Sequence, residues 1–268
     1  MPYIHGYDEQ ESDRLLAQAA SVVDLLHDDT RYPPGSRVLE VGCGTGAQTV
    51  TLGHNSPGAH IVAFDQSAES LAQAMTRAES AGVTNVEFLH ADLFRLPFEP
   101  GSFDHVFICF VLEHLPNPRE ALVVLKGLLK PGGTVTVFEG DHGSAYFHPD
   151  SEIAQRAIAC QVELQRRAGG NACIGRQLYP LLAAAGLSQV RVSPRMVYVD
   201  ATRPELVDSF TRKTFTWMIQ GVRAQALAAG IIDAATFDAG VRDLYRAAAA
   251  DGVFCYTFFK GAACRPRP

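Results

Sequence analysis

Paired cysteines are absent from this sequence. Its six, Cys43, Cys109, Cys160, Cys173, Cys255 and Cys264, form no C-x-x-C couple and have no metal-ligand spacing. That excludes a zinc ribbon or a disulfide scaffold, and no metal site is expected. Long apolar runs are also missing: none reaches about 18 residues, and no signal peptide opens the chain, so a cytoplasmic protein without a membrane partner is expected. An excess of basic charge is lacking as well. Lys and Arg number 23 against 29 Asp and Glu, for a net charge of −6. This argues against a nucleic-acid partner held on a basic surface, and the short Arg265-Pro-Arg267-Pro tail is too small to change that. No internal repeat or low-complexity segment is present. What remains is a 268-residue chain, 47% hydrophobic, able to bury one sizeable core with an added lid or cap.

The stretch Val38-Leu39-Glu40-Val41-Gly42-Cys43-Gly44-Thr45-Gly46-Ala47 organises the rest. Its apolar start reads as a buried parallel strand. The glycines let the backbone turn sharply and come close to a ligand. A helix from Thr45 to His54 would aim its free N–H groups at that ligand. Asp65, closing Ile61-Val62-Ala63-Phe64-Asp65, falls about 20 residues further on, where an adenosine-containing cofactor finds its ribose-binding acid. Gly42-x-Gly44-x-x-Ala47 also fits a dinucleotide fingerprint, a weak signal alone. Glu40, two residues before the first glycine, suits a cationic ligand better than a pyrophosphate.

Strand and helix then alternate. Ser67 is expected to cap a helix to about Ala81. Val86 to Asp92 and Phe103 to Phe110 read as the third and fourth strands, and Pro118 opens a helix through Lys130. Pro131-Gly132-Gly133 is expected to stop it before a fifth strand, Thr134 to Phe138. Gly140 to Pro149 reads as a polar-aromatic loop at that strand's carboxyl end. Helices follow from about Ser151 to Arg167 and Gly175 to Ala185. Val190–Val199 is a strand, 204–250 is mostly helical with Phe210, Phe215, Trp217 and Met218 grouped, and Val253–Lys260 is the last strand. Ahead of all this, Tyr3 to Tyr7 forms an aromatic arm, followed by a helical stripe through Leu15, Leu16, Ala19, Val22, Val23 and Leu26.

Taken in order, these stretches resemble the class I S-adenosylmethionine-dependent methyltransferases, specifically the type 11 small-molecule group. The resemblance rests on the glycine stretch, on Val62 to Ser67, on Leu89-His90-Ala91-Asp92-Leu93-Phe94-Arg95-Leu96-Pro97-Phe98, on Ser102 to Leu115, and on Leu128-Leu129-Lys130-Pro131-Gly132-Gly133-Thr134. It covers residues 36–140 strongly and the last two strands weakly. It implies an α/β, doubly wound, mostly parallel seven-stranded sheet of Rossmann-like methyltransferase type. An antiparallel last strand would insert beside the fifth. Residues 1–35 would form an arm and helix acting as a lid, with Tyr7 nearest the ligand. Residues 36–268 would form the domain, with helical cap insertions at about 141–172 and 203–250.

The resemblance implies S-adenosylmethionine as cofactor. Gly42, Gly44 and Gly46 would pack on its methionine and ribose parts, with Glu40 near its cationic end. Asp65 would accept the ribose hydroxyls, Gln66 and Leu93 would flank the adenine, and Asp92 would accept its amino group. Phe110 would offer a main-chain carbonyl near the methionine. Against this stands the plainer reading that Asp65 and Asp92 only cap the turns that follow them.

The implied reaction is methyl transfer to a small, apolar or aromatic metabolite, at carbon, nitrogen or oxygen, in which alignment matters most. A base, if needed, would come from His142 or His114, with Tyr146 lining the pocket. His5, His148 and Tyr7 carry weaker claims. Two rivals remain: a cofactor-binding regulator or cyclase that transfers no methyl, and an NAD-dependent oxidoreductase. Tyr256-x-x-x-Lys260 superficially suits the second. That couple needs a helix, whereas Phe254, Phe258 and Phe259 favour a strand, on which the two lie about 13 Å apart.

Overall fold

The structure, a computed structural model, describes residues 22–267. The arm with His5 and Tyr7, and the lid role assigned to it, lie outside the described residues. Seven strands form one sheet: β1 (Arg37–Val41), β2 (His60–Asp65), β3 (Val86–His90), β4 (Phe103–Cys109), β5 (Leu129–His148), β6 (Ser188–Val199) and β7 (Val253–Cys264), in the order β3-β2-β1-β4-β5-β7-β6. β1 pairs in parallel with β2 and β4, β2 with β3, and β4 with β5; Leu39 lies opposite Val62 on one side and Val106 on the other. β1 and β2 are buried over most of their length, as continuous Val/Ile/Leu runs in a sheet covered on both faces should be.

β7 enters beside β5 and runs antiparallel to it, as expected. The Gly132 N–H donates to the Arg265 carbonyl, and the Thr257 N–H to the Ser144 hydroxyl. Numbers therefore rise along one strand as they fall along the other.

Three helices start where the sequence places them. Ser67 caps Ala68–Ser80 by accepting the Ser70 N–H, Ser151 caps Glu152–Arg167 through the Ala154 N–H, and Pro118 begins Pro118–Leu128. Two expectations fail at β5. Pro131-Gly132-Gly133 does not interrupt the chain, and Gly140 to His148 is not a loop; both belong to one 20-residue strand. The cause is a partner more than 100 residues away. Arg265 pairs with Gly132 and Gly133, and Thr257 with Ser144, so strand geometry there is set by tertiary pairing rather than by local preference. The helix expected over Gly175–Ala185 is a 3₁₀ turn, Ile174–Gln177, followed by a short α-helix, Leu178–Ala184.

Two compact units share the chain, their boundaries falling inside β5, β6 and β7. Among the described residues the first comprises 23–139, 174–194 and 259–267, and the second Val22, 140–173 and 195–258. In the first, Leu39, Val62, Val106, Ile108, Leu122, Leu125, Val135 and Leu178 belong to one apolar core. In the second, Glu152–Arg167 crosses Ala234–Arg246 at Gly240, where a Cβ would come within 2.6 Å of the Ile153 carbonyl oxygen. The helical segment there includes a ten-residue π-helix, Val207–Thr216. Its Thr214 and Thr216 hydroxyls donate to the carbonyls of Ser209 and Thr211, five residues back. Phe210 and Phe215 project from it into a ring cluster with Phe254, Tyr256 and Phe258.

Gly46 precedes the helix Ala47–Asn55 with φ of 80°, and a Cβ there would lie 2.9 Å from Cα of Ala74. Gly46→Ala should therefore lower stability by about 1–3 kcal/mol through strain and overpacking. Urea denaturation of the ligand-free protein measures this, and an unchanged midpoint would show that the helices have room to separate.

Candidate functional site

The site grows from the carboxyl ends of β1, β2 and β4 in the first unit. Past Val41 the chain enters positive φ at Gly42, Gly44 and Gly46 (61°, 51° and 80°), a region open at low cost only to glycine. Two bonds tie this loop to the end of β2. The Cys43 N–H donates to the Phe64 carbonyl at 2.9 Å, and the Gly44 N–H to Oδ2 of Asp65 at 2.8 Å. The other Asp65 oxygen accepts the Ser67 N–H at 2.8 Å.

The three glycines do different work. A Cβ on Gly42 would stand 2.9 Å from the Val111 side chain, and one on Gly46 would strike Ala74. On Gly44 it would meet nothing within 4 Å. Gly44 thus borders open space, while its two neighbours serve close packing.

Glu40 is 2% exposed, and its Oε2 has no hydrogen-bond partner among the described residues. Burial pushes its carboxyl up to about 8, and the nearby charge of Asp65 adds to the rise. Such a group is costly to ionise unless a cation joins it. At the end of β4, Phe110 adopts φ of 56°, uncommon for a residue with a side chain. A 3₁₀ turn, Leu112–His114, follows. Glu139 lies fully buried on β5, and its Oε1 accepts the N–H groups of Val111 at 3.1 Å and Leu112 at 2.7 Å. His114 carries its Nε2 3.6 Å from Oε1 of Glu113. After β3, Asp92 caps the turn Leu93–Arg95 by accepting the Phe94 N–H; it is exposed, Leu93 is buried, and Gln66 is exposed beside its own loop.

The first unit therefore holds Glu40, the glycines, Asp65, Gln66, Asp92, Leu93, Phe110 and His114. His142 and Tyr146 belong to the second. His142 is 8% exposed, its Nδ1 lies 2.7 Å from the Tyr256 hydroxyl, and its ring stands edge-on to Phe215. Tyr146 does not sit beside it. Four residues on along the strand is about 13 Å, and Tyr146 is 54% exposed with its hydroxyl on the Met196 sulfur. The residue found beside His142, Tyr256, was visible in the sequence only as half of a dehydrogenase couple. Its strand separates it from Lys260, whose Nζ pairs with Asp29 at 2.6 Å. No group of three or more metal-ligating side chains occurs among the described residues.

A glycine loop at a strand's carboxyl end, an acid closing the next strand, and a buried carboxyl with no counter-cation among the described residues define an α/β domain for an adenosine cofactor with a cationic end. The comparisons agree and are more specific. Residues 39–137 match the model of the methyltransferase domain family and are a class I S-adenosylmethionine-dependent methyltransferase domain. An uncharacterised 37.1 kDa protein of transposon Tn4556 from Streptomyces fradiae is 32% identical over 199 residues, 73% of this chain and 56% of that one. Demethylmenaquinone methyltransferase of Clavibacter sepedonicus is 42% identical over 105 residues, 39% of this chain and 41% of that one. The chain thus matches only about half of these relatives' length.

Two solved structures share the fold. The [4+2]-cyclase SpnF superposes with a TM-score of 0.55 at 22% identity, covering 97% of this chain and 84% of its own. Phosphoethanolamine N-methyltransferase 2 of Haemonchus contortus, in complex with S-adenosylhomocysteine, superposes at 0.56 with 19% identity, covering 93% and 52%.

The cofactor of the family is S-adenosylmethionine, and the residues present fit it. Space opens at Gly44, the buried Glu40 Oε2, without a partner among the described residues, suits a cation, and each Asp65 oxygen keeps acceptor capacity beyond its backbone bond.

The raised Glu40 pKa has a direct consequence for stability. The unfolded carboxyl ionises near 4.5 and the folded one near 8, so stability is lost as pH rises between those values. Glu40→Gln should raise the ligand-free melting temperature more at pH 8 than at pH 5. Equal shifts at the two pH values would refute the buried, protonated carboxyl.

Proposed function

We propose that this protein transfers the methyl group of S-adenosylmethionine to a small, apolar or aromatic acceptor. The carrying observation is the joined β1–β2 site: a glycine loop pinned to Asp65 beside a buried Glu40 whose Oε2 has no hydrogen-bond partner among the described residues. In this reading Glu40 ionises against the ammonium of the amino-acid end. Asp65 accepts the ribose hydroxyls, Leu93 and Gln66 flank the adenine with Asp92 at its amino group, and the Phe110 main chain borders the methionine part. The bound cofactor supplies a methyl group already activated by positively charged sulfur. What the chain must add is alignment and exclusion of water.

His142 is assigned to the acceptor. With Nδ1 held by the Tyr256 hydroxyl, the imidazole is oriented, and in this reading it takes up the proton that the methylated atom loses. The surrounding Phe210, Phe215, Phe254 and Phe258 suit an apolar or aromatic acceptor. A second reading, cofactor binding without methyl transfer, draws on the likeness to the cyclase SpnF. Incubation with methyl-labelled S-adenosylmethionine and a panel of small aromatic acceptors separates the two. Labelled product supports the transferase, and its absence across acceptors that bind supports the other.

On the cofactor side, calorimetry should show micromolar-range binding of S-adenosylmethionine and none of NAD. Gly44→Val should abolish it, because a branched side chain would fill the open space and strain φ. Normal affinity in Asp65→Ala would refute the ribose assignment. On the acceptor side, His142→Ala should lower turnover by about 10²-fold or more with cofactor affinity kept. Near-wild-type turnover would remove His142 from the mechanism and turn attention to His114.

A further inference from the structure

Glu139 had no expected role, yet it is among the most deeply buried ionisable groups of the first unit, with no measurable exposure. Burying a carboxyl in a sheet is expensive, and an apolar residue would fill the space more cheaply. Its surroundings give the reason. The Phe110 N–H closes the β4–β5 ladder on the Phe138 carbonyl at 2.9 Å. One residue later the chain has turned through positive φ, and the next two N–H groups open a 3₁₀ turn. The first N–H groups of a helical turn have no acceptor within it. Here Oε1 of Glu139 supplies one for both Val111 and Leu112. It does so whether the carboxyl is ionised or protonated on its other oxygen.

The effect reaches further. The Val111 side chain packs at the position a Gly42 Cβ would occupy, 2.9 Å from it. One carboxyl oxygen therefore fixes two N–H groups, those fix Val111, and Val111 abuts the first glycine of the loop. Released, the turn could leave positive φ at Phe110, and Val111 would shift against Gly42.

We propose that Glu139 is a positioning residue for the cofactor: it clamps the turn after β4 against the glycine loop and so sets the geometry that receives the cofactor's amino-acid end. This rests on the reading that places that end beside Glu40 and Phe110. The role differs from Glu40's. Glu40 offers charge to the ligand, whereas Glu139 spends its accepting oxygen on the main chain.

Two probes and two variants test it. S-adenosylhomocysteine carries the amino-acid end; 5′-methylthioadenosine shares the adenosine and lacks that end. Glu139→Gln keeps an accepting oxygen at the same reach and cannot ionise, and Glu139→Asp keeps a carboxyl but draws the oxygen back by one methylene. Calorimetry on folded protein should show Glu139→Asp weakening S-adenosylhomocysteine about tenfold or more, the scale of losing the two hydrogen bonds that hold the turn. Methylthioadenosine should stay within about threefold, and Glu139→Gln should stay within about threefold for both probes. Unchanged S-adenosylhomocysteine affinity in Glu139→Asp, an equal loss of both probes, or a loss in Glu139→Gln as large as in Glu139→Asp would each overturn the clamp. If the wild-type protein binds neither probe, the cofactor-site reading fails instead.

Discussion

One charge-assisted hydrogen bond, from the Gly44 N–H to the Asp65 carboxylate, holds together the loops that follow β1 and β2. Its geometry demands a backbone at positive φ, hence glycine, and an acid as the last residue of the neighbouring strand. Parallel pairing of β1 with β2 brings the two ends to the same level, with Val41 opposite Phe64. Asp65 also orders the start of the next helix through the Ser67 N–H. A carboxylate engaged by two backbone groups is held in place before any ligand arrives, so little order remains to be imposed on binding.

Around that bond the first unit concentrates buried acids. Glu40 and Glu113 sit at or just past the carboxyl ends of β1 and β4, with Glu139 midway along β5, and after burial itself the three acids together hold the Cys109 thiol well above its usual range. Glu139 is likewise pushed well up, first by burial and then by Glu113. Such an arrangement costs stability in the empty protein and favours a positively charged guest. In the proposed function the guest is the amino-acid end of the cofactor. This is a familiar trade in binding sites, where local cost is offset by the core, here the Val/Ile/Leu layers of β1, β2 and β4.

The second unit is built differently, with aromatic rings in place of aliphatic layers. A π-helix carries one more residue in its turn than an α-helix, and its Thr214 and Thr216 hydroxyls bond carbonyls five residues back. That spacing places Phe210 and Phe215 together against Tyr256. The same tyrosine holds His142, and it needs Gly140 to do so: a Cβ on Gly140 would collide with the Tyr256 hydroxyl.

The amino-acid sequence by itself determined the alternation of strands and helices, the glycine loop and the acids after β1, β2 and β3. These depend on local rules: apolar runs make buried strands, only glycine tolerates the loop's φ, and serine or proline opens a helix. Most helix starts followed, as at Ser67, Ser151 and Pro118. The same rules misread Pro131 to Gly133 and Gly140 to His148, whose extended form comes from β7 more than 100 residues away. Tertiary structure alone decided that Glu139 would meet the N–H groups of Val111 and Leu112, that Tyr256 would hold His142, and that Gly42 and Gly46 would serve packing while Gly44 borders open space. Each is a contact between segments distant in sequence, set by strand order and register. No spacing along the chain encodes such a contact until the sheet has formed.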